Sequence, residues 1–138
     1  ELRDIMPTLL DCAGLPIPET LDGRSFLPFA RGERPAWRPH LHGEHLMLGQ
    51  SLQWVTDGHE KYVWRSGDGA EQLFDLDRDP QEREDLARQS AARARVERWR
   101  RVLIEELTGR EEGFVRGGEL IAGRPVRPCL SHVRPSQP

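Results

Sequence analysis

The sequence predicts an α+β fold in which a small antiparallel sheet of about four strands packs against a long C-terminal helix. Three observations predict it. Apolar residues recur every three or four positions near the start and again between residues 91 and 107, the spacing of a helix face. Between those stretches, over residues 41–76, the pattern changes to β-formers broken by Asp57-Gly58 and Gly67-Asp68-Gly69, turn signals spaced for successive hairpins. At 138 residues, 36% hydrophobic and 31% charged, with a net charge of −3, the chain fits one globular unit able to bury a core.

The elements follow in order. The first helix rests on Ile5, Leu9 and Cys12, with Leu10 and Ala13 alongside. Asp4 is its N-cap candidate, and Pro7 falls in the first turn, where a missing N–H costs little. Gly14 supplies a left-handed stop, and Pro16 and Pro18 forbid continuation. Asp22-Gly23 marks a turn; Ser25 can cap a brief helix through Phe29 and Ala30 that Gly32 ends. Residues 31–39, with Pro35 and Pro39, read as an extended connector. Leu52 and Trp54 then alternate with polar neighbours, Tyr62, Val63 and Trp64 favour strand, and residues 72–76 follow the second turn, giving three or four antiparallel strands in sequence order. Asp79-Pro80-Gln81-Glu82 carries an N-cap, a proline at the first helical position and an acid at the third, so a helix is expected to start there. In the long helix Ala92, Val96, Trp99, Leu103 and Leu107 form the buried face and leave arginine to the others. Gly109 stops it, and residues 114–123 supply one more strand or hairpin around Gly117-Gly118. Beyond Pro125 the Pro- and Ser-rich sequence is expected to be mobile.

Composition excludes several classes of function. No stretch approaches the roughly 20 apolar residues of a membrane span, and nothing resembles a signal peptide, so no membrane partner is expected. Two cysteines, Cys12 and Cys129, are too few for a disulfide scaffold or a Cys-rich metal module. Neither has the neighbouring His or basic residue that activates a thiol. No Gly-rich phosphate loop and no Gly-x-Ser-x-Gly elbow is present. Residues 88–101 hold six Arg and one Glu, a local net charge of +5, while residues 68–85 carry a net charge of −6. These blocks are expected to complement each other rather than to grip a polyanion, so no nucleic-acid partner is expected. The chain also opens without Met, inside what reads as a helix, as a fragment of a longer protein would.

Two clusters could carry chemistry. His42-Gly43-Glu44-His45 is the densest group of metal-ligating or acid–base residues. On a strand His42 and Glu44 share one face and His45 takes the other, so a three-ligand site would require a bulge or a turn at Gly43; a pocket-lining role or ordinary hydrogen bonding competes with it. Asp75-x-Asp77-x-Asp79 opens like a calcium loop, but Pro80 stands at the sixth position and Leu86 at the twelfth, where Gly and Glu are needed. A strand end before a helix cap explains those acids without a metal.

Two longer stretches add a resemblance. Residues 4–32, DIMPTLLDCAGLPIPETLDGRSFLPFARG, resemble the segment that follows the catalytic core of sulfatases. Residues 57–87, DGHEKYVWRSGDGAEQLFDLDRDPQEREDLA, resemble that family's C-terminal subdomain. HGEH and residues 99–114, WRRVLIEELTGREEGF, look like a bacterial arylsulfatase-type branch. The resemblance implies the C-terminal subdomain of an alkaline-phosphatase-like sulfatase fold, with residues 1–36 as the end of the catalytic domain and connector, 37–123 as the subdomain and 124–138 as a mobile tail. Family members hydrolyse sulfate esters with a formylglycine made from a Cys-x-Pro-x-Arg motif and a divalent cation, usually calcium. Here Cys12 is followed by Ala-Gly-Leu and Cys129 by Leu-Ser-His, so neither is the nucleophile. The family's metal-binding acids and catalytic Lys and His belong to sequence before the PTLL segment.

The resemblance therefore implies a chain that binds no cofactor itself and is inert alone. Its expected partner is the missing catalytic domain, with calcium, formylglycine and a sulfate-ester substrate belonging to the complete enzyme. His42, His45 and Lys61 are the candidates for the rim of the substrate pocket, because a neutral or cationic donor there could meet the anion. Two alternatives stand beside this reading. One is a non-catalytic interaction module derived from a sulfatase, with an apolar patch from Ile5, Leu9, Leu10 and Phe26. The other is the tail of a related phosphonate or phosphodiester hydrolase. The cysteine count leans to a cytoplasmic setting, with periplasmic or secreted placement open.

Overall fold

The computed structural model describes residues 1–126. The expected mobility of residues 124–138, from residue 127 onward, and Cys129 lie outside the described residues. The chain divides into two compact units, Glu1–Pro39 and the part from His40 onward.

In the first unit a short 3-10 turn, Leu2–Asp4, leads into α1 (Ile5–Cys12). Gly14, at φ 67, stops the helix, and the Leu15 N–H returns to the Leu10 carbonyl at 2.9 Å, as helix C-caps require. Asp4 stands at the N-cap position, but its carboxylate does not cap the helix. The Arg38 guanidinium takes both oxygens at 2.6 and 2.8 Å, and the Arg24 N–H reaches one of them at 2.9 Å. A bidentate cation outcompetes a neutral amide donor for a buried carboxylate, so the cap signal was real in position and diverted in use. Beyond a turn closed by the Leu21 N–H on the Pro18 carbonyl and a bend at Asp22, α2 (Leu27–Ala30) begins where the Ser25 hydroxyl accepts the Leu27 N–H at 3.2 Å. Gly32, at φ 81, ends it.

The second unit is built on four strands, β1 (Leu41–Met47), β2 (Gln50–Thr56), β3 (Glu60–Arg65) and β4 (Glu71–Asp75), antiparallel and in the order β1-β2-β3-β4. The first hairpin turns through Leu48 and Gly49, both at positive φ. The second turns at Asp57-Gly58, where the Asp57 carboxylate accepts the N–H groups of His59 and Glu60 at 2.9 and 2.8 Å. In the third the Asp68 carboxylate accepts the Ala70 N–H. Each Asp side chain replaces a backbone partner the turn cannot supply.

Pairing places Val55 opposite Tyr62 and Tyr62 opposite Leu73. These three and Trp64 face α3 (Arg93–Leu107), which contributes Val96, Trp99, Leu103 and Leu107; Ala92 before it and Phe114 after it complete the core. The Phe114 ring meets Trp64 edge-on with centroids 5.5 Å apart. Two-residue strands β5 (Val115–Arg116) and β6 (Glu119–Leu120) form the small hairpin around Gly117-Gly118.

The segment after β4 departs from expectation. Asp79-Pro80-Gln81-Glu82 starts no helix; the next helical residues are the 3-10 turn Ser90–Ala92 and then α3. The Asp79 carboxylate accepts the N–H groups of Arg83 and Glu84 at 2.5 and 2.7 Å, while Glu82 lies at φ 54, a conformation no helix contains. Downstream, the Asp85 carboxylate takes the Leu73 N–H and the Leu86 N–H takes the Leu73 carbonyl. Docking along the β4 edge satisfies backbone groups that a helix would leave open, and that outweighs the local cap signal.

Candidate functional site

The pleat sorts side chains between two faces. Leu41 pairs with Thr56 and Thr56 with Lys61; Gly43 pairs with Trp54 and Trp54 with Val63; His45 pairs with Leu52 and Leu52 with Arg65. Alternation puts His45, Trp54 and Lys61 on the face away from α3, and His42, Glu44 and Gln53 on the face toward it. The three rim candidates are thus brought to opposite sides of the sheet. Two strands and four residues separate His45 from Lys61, a Cα distance of roughly 17 Å by strand geometry.

On the open face, Lys61 is held. Its ammonium lies 2.9 Å from each carboxylate oxygen of Glu82 and 5.5 Å from the centroid of the Trp54 ring. Trp54 in turn lies against Gly43: a Cβ at that position would sit 2.0 Å from the ring, so only glycine lets the indole cross the strand. His45 is exposed beside the apolar tip Leu46, Met47 and Leu48. An imidazole there is open to solvent and to any ligand approaching this edge of the sheet.

On the helix-facing side, His42 enters a polar network. Its Nε2 lies 2.8 Å from the Oε1 of the buried Gln53. Gln53 spends its amide N–H groups on Ser51 Oγ at 2.6 Å and on Glu44 at 3.3 Å, so its carbonyl must face the imidazole and Nε2 must carry the proton. Arg110 closes the network, donating to Glu44 at 2.8 Å and to Glu112 at 2.6 Å. This arrangement fixes the ring and its tautomer.

A second polar centre was not singled out from the sequence. Glu60 receives the Trp99 indole N–H at 2.6 Å, the Arg98 guanidinium at 2.5 Å and Arg95. Arg100 grips Glu71 with two bonds, at 2.6 and 2.7 Å, and Tyr62 donates to the same carboxylate. Burial pushes the Tyr62 hydroxyl far above its usual range, helped by the Glu71 charge. Burial works to raise Glu71, but Arg100 and Tyr62 bring it net below 4.5. His59, paired to Asp77 at 3.1 Å, is raised above its usual 6.5 by that carboxylate. Arg95, Arg98 and Arg100 are therefore committed to internal acids, so the basic stretch presents much less free charge than its sequence suggests. The period-2 row Glu60, Tyr62, Trp64 was the signal that could have placed Glu60 on the buried face.

Among the described residues no group of three or more His, Cys, Asp or Glu is placed to hold a metal ion. Asp75 bonds Arg95, Asp77 bonds His59, and Asp79 bonds backbone N–H groups. Cys12 is exposed and carries a free thiol, but Ala-Gly-Leu follows it.

No family model matches the chain. An arylsulfatase from Clostridium perfringens is 41% identical over 134 residues, 97% of this chain and 28% of its own length. The chain belongs to the sulfatase family. It matches the C-terminal portion of those proteins and spans little more than a quarter of the curated relative. A 2-O GAG sulfatase superposes with a TM-score of 0.70 at 27% identity, covering 80% of this chain and 25% of that one. A phosphonate monoester hydrolase from Silicibacter pomeroyi does so with a TM-score of 0.62 at 29% identity, covering 75% and 24%. The α+β architecture expected from the sequence is thus that of the C-terminal part of an alkaline-phosphatase-like sulfatase.

Proposed function

We propose that this chain is the C-terminal part of a sulfuric ester hydrolase of arylsulfatase type and is inert by itself. The alignment of nearly the whole chain onto one quarter of an arylsulfatase carries the reading. On this reading residues 1–36 close the catalytic domain and 37–123 form the smaller subdomain. Calcium, formylglycine and the sulfate-ester site belong to the rest of the enzyme, since neither the nucleophile motif nor a donor set for the cation is found among the described residues. The contribution of this part is to shape one wall of the substrate site.

Within that wall the open face is the better candidate. His45 can donate to an anionic or hydroxyl group, and Lys61 can do so when a ligand displaces Glu82 from its ammonium. At their separation the two contact different groups of one extended ligand rather than one sulfate. His42 serves from the other side by holding β1 in place through Gln53. The purified chain, given calcium and an aryl sulfate, is expected to show no turnover; turnover that survives repeated purification overturns the proposal. In the complete enzyme His45→Ala and Lys61→Ala are expected to lower kcat/KM, and unchanged values for several substrates remove them from the site.

The likeness to a phosphonate monoester hydrolase supports a second reading. The complete enzyme's preference between an aryl sulfate and a phosphonate monoester decides between them.

A further inference from the structure

Three Asp-Gly pairs stand in the chain, Asp22-Gly23, Asp57-Gly58 and Asp68-Gly69, and there is no Asn. An aspartate before glycine can be attacked by the glycine's own backbone nitrogen, provided that its carboxyl is neutral and that neither group is already engaged. Two of the pairs are disarmed. The Asp57 carboxylate accepts the N–H groups of His59 and Glu60 at 2.9 and 2.8 Å, and the Gly58 N–H donates to Thr56 Oγ1 at 3.0 Å. The Asp68 carboxylate accepts the Ala70 N–H at 3.0 Å and bonds from Arg65 at 3.2 and 2.5 Å, while the Gly69 N–H donates to the Arg65 carbonyl at 2.9 Å. Burial works to raise the Asp57 carboxyl, but the Glu60 and His59 N–H groups bring it net below its usual range; the Ala70 N–H, with Arg65, lowers Asp68. Both are thereby held as the unreactive anion. Asp22-Gly23 is left open. Asp22 is exposed at a bend, and among the described residues neither its carboxylate nor the Gly23 N–H has a hydrogen-bond partner. Packing demands glycine at position 23, where a Cβ would sit 1.8 Å from the Arg3 carbonyl oxygen and 2.4 Å from its carbon. The same lack of a Cβ leaves the attacking nitrogen unhindered.

We propose that Asp22-Gly23 is a site of spontaneous isoaspartate formation, and that the product is a substrate for a carboxyl methyltransferase of the repair class. In the first step the Gly23 nitrogen bonds to Asp22 Cγ, and its proton leaves with the hydroxyl of the neutral carboxyl as water, giving a five-membered succinimide. Water then adds to one ring carbonyl, and the C–N bond of that carbonyl breaks. Opening at Cγ restores aspartate; opening at the backbone carbonyl carries the chain through the side chain and frees an α-carboxylate. Mass is unchanged overall, and no oxidant or cofactor takes part. The freed carboxylate is the group that a methyltransferase using S-adenosylmethionine esterifies. The product has an extra methylene in its backbone immediately before three consecutive bonds that hold residues 24–26 against α1: the Arg24 N–H to Asp4 at 2.9 Å, the Ser25 hydroxyl to Asp11 at 2.5 Å and the Phe26 N–H to Thr8 Oγ1 at 3.1 Å. Ageing therefore strikes at the residues that fasten this loop to α1.

The test incubates the folded chain, and the same chain unfolded in urea, for several weeks at neutral pH and body temperature. Trypsin separates the three pairs into residues 4–24, 32–61 and 66–78, because the Arg34-Pro35 and Arg38-Pro39 bonds resist cleavage. Electron-transfer fragmentation then locates isoaspartate, and an isoaspartyl methyltransferase with labelled S-adenosylmethionine measures its amount. In the folded chain Asp22 is expected to convert at least about tenfold faster than Asp57 or Asp68, which must first give up hydrogen bonds to a charged group. In urea the three rates are expected to converge. Asp22→Glu, whose ring would need six members, is expected to remove the signal from residues 4–24 and leave the other two peptides unchanged. Comparable rates at the three sites in the folded chain overturn the proposal. So does a signal in residues 4–24 that survives Asp22→Glu, since it would arise at Asp4 or Asp11. Rates that stay apart in urea overturn it as well, because sequence and not the fold would then set their order, and so does an aged chain that accepts no methyl group.

Discussion

Replacing Gly43 by alanine tests how the open face is assembled. The new Cβ would lie 2.0, 2.3 and 2.7 Å from three atoms of the Trp54 indole, whereas carbon atoms rest about 3.5 Å apart at closest favourable contact. The ring must therefore retreat by about 1.5 Å, away from its place under the Lys61 ammonium. Gly43 is not among the glycines at positive φ, so the cost is steric and not a matter of backbone strain. Overpacking of this kind costs about 1–3 kcal/mol, which lowers the melting temperature by about 4–8 °C per kcal/mol in a unit of this size. The sign should reverse when the ring is gone: in a Trp54→Ala background, Gly43→Ala no longer strikes the indole and gains about 0.5–1 kcal/mol, because glycine inside a strand gives up more entropy on folding than alanine. Urea titrations of the four proteins of this double-mutant cycle, followed by far-UV circular dichroism, measure both numbers. A Gly43→Ala penalty that persists without Trp54 refutes the assigned contact, and a neutral Gly43→Ala in the native background refutes the clash.

Glu60→Gln leaves Arg95, Arg98 and the Trp99 N–H facing a neutral amide; a loss of about 2–4 kcal/mol is expected in the same titration. Leu103, fully buried in the core, should cost about 2–5 kcal/mol on truncation to alanine, with the transition staying cooperative. Glu71 sets an acid limit: its carboxyl is lowered from 4.5 in the folded state, so its contribution is complete above about pH 4.5 and is lost as pH falls through the lower folded value. The stability gap between the native chain and Glu71→Gln should accordingly be constant from pH 7 to 5 and shrink below pH 4.5; a gap independent of pH contradicts the assigned pairing.

Much of the fold could be read from the residues because local and global signals agree. The α3 stripe of Val96, Trp99, Leu103 and Leu107 repeats at the helical period and is the buried face. Asp57-Gly58 and Gly67-Asp68-Gly69 turn the chain where their sequence says they should. The opposite facing of His42 and His45 followed from alternation alone. What escaped was decided by partners far along the chain. The cap signal at Asp79 was complete within four residues, yet Leu73 draws the following segment against β4 through Asp85 and Leu86. Likewise nothing near Lys61 announces Glu82, 21 residues away, or near Glu60 announces Trp99, 39 residues away. Such pairings depend on register, and a window of sequence contains no register.

The strand order β1-β2-β3-β4 also bears on how this sheet comes into being. Each strand finds its partner across a turn of a few residues, so little chain entropy is spent closing any loop. A meander of this kind has low contact order and forms rapidly from neighbouring sequence. The longer returns are those of α3, which caps one face with Trp99 and Leu103, and of Phe114 behind it. Such a sheet does not wait on distant segments during synthesis, and its inner strands β2 and β3 are paired on both sides as soon as their sequence neighbours are made.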